Sequence, residues 1–321
     1  MFRKLFVWCY CALACLFAGS LPLYAAQAKD FAGTWVLRCG TRNLYVLTLV
    51  LDGGGLTGTL MRPTAYSSTG QIFVHLSNEV LTEPIVSSHL DQGVLHFVAK
   101  PGKGSANDQE AFAMQLRGDK AEIAVDIPSL KFVLEPYLFE RGSPEMKVAT
   151  DWEPNRAYVP GDSDTPSSAM KAIVDEDQRV RTVAKVDWAA VNKSDSERRD
   201  QTQKLLTEGA LHTGTDFEEA SLVFQHGASA QDFLLAHTLA MVAVTKGDPT
   251  AIWIASATLD RYLQKIGQSQ VFGTQSSSHN GGMVTQEPYD RTLISDALRR
   301  QLGVPPLALQ QEQLNASRSQ K

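Results

Sequence analysis

The sequence predicts an α+β protein of two domains, an antiparallel β-barrel followed by an all-helical domain. Three observations carry this. From residue 29 to 141 apolar side chains recur at every second position, and from 167 to 315 they recur at helical spacing. Between them, residues 142–166 hold Gly142, Pro144, Pro154, Pro160, Gly161 and Pro166 and read as a linker. A period of two places one face of a strand against a core, and a period near 3.6 does the same for a helix.

Residues 1–28 come first in the chain and decide its compartment. Arg3 and Lys4 precede an uncharged run, Leu5–Ala18, and Ala26-Gln27-Ala28 offers a small-x-small cleavage site, the anatomy of a secretory signal peptide. The run is 14 residues, short of the roughly 20 that span a bilayer, so cleavage is expected rather than anchoring, with no membrane span in the mature chain. Export to a bacterial periplasm or beyond follows. Removing Arg3 and Lys4 leaves 28 basic against 35 acidic side chains, a charge near −7 that argues against nucleic acid as a partner. Of the 4 cysteines only Cys39 remains after cleavage, so no intramolecular disulfide forms.

Strands are expected at Gly33–Arg38, Asn43–Leu51, Leu56–Met61, Gln71–Leu76, Ile85–Leu90, Val94–Ala99, Ala111–Leu116, Ala121–Asp126 and Lys131–Phe139. Asp52-Gly53-Gly54-Gly55, Gly93 and Gly118-Asp119 punctuate them as turns. Short strands spaced by turns suggest a meander closing into a barrel. His75, His89 and His96 lie on separate strands without ligand spacing. Each alternates with apolar neighbours and is expected to face solvent, so no metal site is assigned.

After Pro166 about six helices are expected. Ser167–Lys185 is the first. Ser194-Asp-Ser-Glu197 and Thr215-Asp-Phe-Glu218 have the capping-box pattern for the next two, ending near Gly209 and His226-Gly227. Ser229 opens an apolar helix to Lys246-Gly247, and Asp248-Pro249 opens another to Ile266-Gly267. A loop from Gln268 to Pro288, helices over Asp290–Leu302 and Leu307–Asn315, and a disordered tail at 316–321 complete the chain.

Gly33-Thr34-Trp35 on the first strand resembles the opening of lipocalin-like barrels. The resemblance implies that Trp35 closes one barrel end and that Arg141, after the last strand, packs on it. It also admits carriage of an apolar ligand, unless side chains such as Phe73, Phe97 and Phe112 fill the interior. In the second half, Asp177-Gln178-x-x-Arg181, Gln225-His226, Asp260-Arg261 and Phe272-Gly273-Thr274-Gln275, in that order over roughly residues 168–310, resemble a helical bacterial family of unknown function. That resemblance implies no reaction.

The same residues admit two readings. In one, Asp177, Gln178, Arg181, Gln225, Arg261, Gly273, Thr274 and Gln275 line a cleft. With Asp260 in the same cleft, His226 then acts as general acid or base oriented by an aspartate, and arginine holds an anionic group. In the other they form a buried polar network that pins helix packing, the arginines compensating aspartates on apolar faces. His237, on an apolar stripe, reads as a core histidine. No Gly-x-Ser-x-Gly elbow, His-Glu-x-x-His, phosphate loop or Cys-x-x-Cys occurs, and no cofactor is implied. The leading expectation is an exported binding or interaction module, its partner an envelope protein or a small molecule. A hydrolase using His226 and Asp260 is the alternative.

Overall fold

The computed structural model describes residues 26–53, 55–69, 72–100, 110–126, 135–143, 148–154, 156–278 and 282–319. The expected signal peptide, save its last three residues, lies outside them, as do parts of the expected strands at 71 and 131–134.

A one-turn helix α1 (Ala28–Phe31) precedes the strands. These are β1 (Gly33–Cys39), β2 (Arg42–Asp52), β3 (Gly55–Pro63), β4 (Ser67–Thr69), β5 (Ile72–Val74), β6 (Val80–Asp91), β7 (Val94–Ala99), β8 (Glu110–Arg117), β9 (Lys120–Asp126) and β10 (Tyr137–Arg141). Eight of them close an antiparallel barrel in the order β1-β10-β9-β8-β7-β6-β3-β2, and β4 pairs with β5 as a separate two-stranded sheet. The expected Gln71–Leu76 strand is thus only a short partner of β4. By contrast β6 starts five residues before the expected Ile85, and its pairing with β7, which begins at Ile85, carries a register shift between Ile85 and Ser87.

Alternation delivers the barrel core. Along β7, Leu95, Phe97 and Ala99 are buried, and they face Phe112 and Met114 of β8 and Ala121 and Ile123 of β9. Phe97 and Phe112 stack with centroids 5.0 Å apart. Trp35 is fully buried and donates its indole N–H to Phe31 O at 2.8 Å. The Arg141 guanidinium lies 4.2 Å above its ring and donates to the carbonyls of Ala32 and Asp30, the contact expected between these two residues. His75 and His89 are exposed and His96 half-buried. His89 and His96 are cross-strand partners whose rings stack at 4.9 Å.

Seven α-helices and one 3₁₀ turn follow among the described residues. They are α2 (Ser168–Arg179), α3 (Trp188–Thr207), α4 (Gly214–Phe224), α5 (Ala230–Thr245), the 3₁₀ turn Pro249–Ala251, α6 (Ile252–Lys265), α7 (Asp296–Gln301) and α8 (Leu307–Ser319). None is long and apolar enough to cross a membrane. The start of α5 is capped by Ser229 and Asp232 as the sequence implies.

Five helix boundaries differ, three of them for a local reason. α2 stops at Arg179, six residues early. α3 begins at Trp188 on an Asp187 cap, so the Ser194 box is mid-helix; Ser194 Oγ donates back to Val191 O, and Asp195 turns inward to arginines. α4 is capped by Thr213 with Asp216, not Thr215 with Glu218, because buried Asp216 accepts the N–H groups of Ser167, His212 and Thr213. α7 starts only at Asp296, since Asp290 closes a local turn with Thr292 and Leu293. At the far end α8 continues to Ser319, past the expected limit of Asn315.

Contacts divide the chain into two compact units. The first comprises Met1–Trp35, Leu47–Leu60 and Thr82–Met146; the second comprises Val36–Val46, Met61–Leu81 and Lys147–Lys321. Within the second, the proline-rich segment is held rather than free. Trp152 donates to Ser77 O, Phe73 and Tyr158 exchange backbone hydrogen bonds, and Gly40 N donates to Asp162 O. Its helices pack on Met170, Val174, Val223, Phe224 and Leu239, and on a small-residue seam of Ala240, Ala243, Ala251, Ala255 and Ala257 between α5 and α6.

Candidate functional site

Asp177 sits on the last turn of α2 with no exposed surface. Four residues on, Arg181 donates through Nη1 to Asp177 Oδ1 at 2.8 Å and through Nη2 to Asp195 Oδ1 at 2.7 Å. Arg198, three residues after Asp195 on α3, closes the square by donating to Asp177 Oδ1 at 3.1 Å and to Asp195 Oδ1. Two carboxylates and two guanidinium groups thus cancel in a nearly dry site. Burial alone would raise the Asp195 carboxyl, but hydrogen bonds from Arg181 and Arg198 outweigh it and hold the group below its usual value.

The other oxygen of Asp177 faces the end of α4. It accepts from Gln178 Nε2 at 2.9 Å, and His226 Nδ1 stands 3.1 Å away, at ion-pair distance but off hydrogen-bond alignment. Since Nδ1 is shut from solvent, the 21% exposure of the His226 side chain falls on its other atoms. Two arginines grip the adjacent backbone: Arg261 Nη1 donates to Gln225 O at 3.1 Å and Arg199 Nη1 to His226 O at 3.3 Å.

Asp260 does not join His226. Fully buried on α6, its Oδ1 accepts the N–H groups of Val271 and Phe272 at 2.8 and 3.1 Å, and its Oδ2 accepts the N–H and hydroxyl of Thr274 at 2.9 and 2.8 Å. The aspartate beside His226 is Asp177, and the expected His226–Asp260 pairing is corrected accordingly. Asp260 is a loop clamp. It presents Gln275, whose side-chain amide donates to Ala257 O, one helical turn before Arg261. Gly273 has φ of +79°, and a Cβ there would stand 2.1 Å from Gln310 Oε1 and 2.5 Å from the Tyr289 hydroxyl oxygen. Only glycine fits.

The structure therefore gathers Asp177, Gln178, Arg181 and His226 in one cluster and Asp260, Gly273, Thr274 and Gln275 in a second. Gln225 and Arg261 form a separate link at the end of α4. Sequence reasoning missed Asp195 and Arg198, which sit in a segment read only as a helix start. It also missed the buried Gln270, Tyr289, Arg299 and Gln310 that brace the loop: Gln310 and Tyr289 bond Phe272 O, and Arg299 donates to the Tyr289 hydroxyl at 2.9 Å. His237 is satisfied by Ala255 O at 2.9 Å. Cys39 is buried beside Asp162; burial first, then that carboxylate, pushes its thiol up to about 12, which leaves no thiolate nucleophile at neutral pH. Among the described residues no group of three or more His, Cys, Asp or Glu side chains is placed to hold a metal ion. No family model, curated protein or solved structure matches the chain.

Proposed function

We propose that the chain is an exported binding module whose helical half holds a ligand through an anionic group, with Arg261 as the anchor and His226 beside it. The observation that carries this is the state of Arg261. Among the described residues its guanidinium makes a single hydrogen bond, to a backbone carbonyl; its Nε is shut from water without a partner; and no carboxylate lies within ion-pair distance. Burial consequently pushes its pKa down. A charge held partly away from water favours a counter-charge; Arg261 is half-buried and has none among the described residues, whereas Arg181 and Arg198 each have two. A carboxylate or phosphate on a ligand supplies it, in the fork geometry that guanidinium favours. His226 directly follows Gln225, the residue whose carbonyl Arg261 holds.

The second reading, a hydrolase, retains one support: His226 is held against a buried carboxylate with part of its ring open, which suits a proton-transfer group. In that reading Asp177 takes the place first given to Asp260. The barrel serves as a filled, lipocalin-like accessory domain, since its aromatic interior leaves an apolar ligand little room.

Titration calorimetry of the full chain with inorganic phosphate, succinate and citrate tests the proposal. At least one anion binds, and Arg261→Ala weakens it about tenfold or more, the scale of one charged hydrogen-bond pair. His226→Ala weakens it less and leaves the thermal midpoint nearly unchanged, because Nδ1 makes no aligned bond to lose. Absence of anion binding, or binding indifferent to Arg261→Ala, overturns the reading.

A further inference from the structure

A cavity of about 270 Å³ lies in the second compact unit, and no residue of the Asp177, Arg261 or Asp260 groupings lines it. Its polar wall carries groups of both signs: Arg156, His212 and Lys246 line it with Asp162, Asp164 and Asp248. Asp162 is the hub, with Oδ1 3.1 Å from His212 Nδ1 and Oδ2 accepting from Lys246 Nζ. Cys39, also in the wall, stays a neutral thiol and adds no charge.

Asp162, Asp248, Lys246 and His212 are positioned by the protein yet keep bonding capacity. Asp162 is tied by its own carbonyl, which accepts from Gly40 N at 2.8 Å. Asp248 caps the 3₁₀ turn through one oxygen, Oδ1, which takes the amide and hydroxyl of Thr250 and leaves Oδ2 for a ligand. It packs directly on Gly214, where a Cβ would stand 2.8 Å from Asp248 Cβ. Lys246 spends one of its three protons on Asp162, and His212 spends one of two ring nitrogens. The N–H groups of Gly214 and Thr215, the first two residues of α4, precede the helix's own hydrogen-bond ladder.

The mixture of signs selects the ligand. An anion would enter against three carboxylates, and a cation against two permanent positive charges and a histidine. A hydroxylated neutral molecule meets neither cost. Every hydroxyl both donates and accepts, so it satisfies a carboxylate oxygen and an ammonium, imidazole or amide donor together, and its burial leaves no uncompensated charge. The volume lies just below the common range for ligand cavities, about 300–1,000 Å³, and suits one ring rather than a chain. We propose that this cavity is a binding site for a small neutral polyhydroxylated molecule of monosaccharide size. It stands independently of the Arg261 reading.

The test is calorimetry and ligand-detected NMR of the full chain with glucose, galactose, N-acetylglucosamine and myo-inositol, against glycine, glutamate and inorganic phosphate. Two variants report on the site. Thr215→Trp places a bulky ring at an exposed lining position that makes no side-chain hydrogen bond, and His212→Ala removes one donor. The expected result is binding of at least one neutral polyol, lost in Thr215→Trp, weakened about tenfold in His212→Ala, and unchanged in Arg261→Ala. Circular dichroism melts confirm that both variants fold; should His212→Ala not fold, Thr215→Trp alone decides. The proposal is overturned if none of the four polyols binds, if only the zwitterions or phosphate bind at this site, or if polyol binding survives Thr215→Trp.

Discussion

Asp177 and Asp260 are equally shut from solvent, on helices of the same compact unit, and they are satisfied in opposite ways. Asp177 meets charge with charge, through Arg181 and Arg198. Among the described residues Asp260 meets no cation; it gathers three backbone N–H groups and one hydroxyl of a single loop. The first arrangement joins two helices by side chains that could each be exchanged only together. The second converts one carboxylate into the organising centre of residues 271–274. A buried aspartate is thus no marker of catalysis in itself. In unspent bonding capacity Arg261 and His226 stand apart from both aspartates.

The largest expected effect follows from the charged square. Asp177→Ala leaves Arg181 and Arg198 sharing Asp195 alone in a site with little water, so unfolding free energy should fall by about 3–5 kcal/mol, the usual cost of orphaning a buried ion-pair partner. Urea denaturation with two probes measures it. A loss below that of Asp260→Ala would break the contrast drawn between the two sites, because it would mean that the arginines find water or another acceptor freely.

Asp260→Ala should cost less, about 2 kcal/mol, since the released amides belong to a loop that can turn toward water instead of staying buried and unpaired. Its signature is spatial. Hydrogen exchange should speed up at Val271, Phe272 and Thr274 while α2, α3 and α4 keep their protection; in Asp177→Ala the reverse pattern should appear. Uniform loss of protection in both variants would erase the distinction between a helix clasp and a loop clamp.

How much of this was legible in the sequence depends on what the partners are. Asp177 and Arg181 are four apart on one helix face, a spacing that names both members of the pair. The barrel was legible for the same reason: alternation along β7, β8 and β9 is a local signal, and only the register shift near Ser87 and the short β5 needed tertiary context. The roles of Asp195 and Asp260 were not legible. Ser194-Asp-Ser-Glu197 has the capping pattern, but Asp187 supplies a competing cap seven residues earlier, and the helix runs through. For Asp260 the partners are backbone amides, which carry no residue identity. The order of the motifs groups Asp260 with His226 but carries no sign that its partners are amides of the following loop. The Asp162 cavity was invisible because its wall is assembled from Cys39, the segment near 160, the start of α4 and the end of α5, no two of which are neighbours in sequence.

The smallest expected effect sharpens the charged side of the comparison through pH. Hydrogen bonds from Arg181 and Arg198 depress the Asp195 carboxyl in the folded protein. A carboxyl with a lower folded than unfolded pKa stabilises the fold fully above the unfolded value of about 4, and that contribution drains away as pH falls through the folded value. Asp195→Asn keeps the shape and one acceptor oxygen, and both arginines retain Asp177, so the loss at pH 7 should be only about 1 kcal/mol. The difference between wild type and variant should stay constant from pH 7 to about 5 and shrink toward zero in acid. Denaturation midpoints across that range measure it. A difference that persists unchanged below pH 3 would assign the Asp195 contribution to packing and not to its charge, and would make the square a shape-fitted joint like the Asp260 loop.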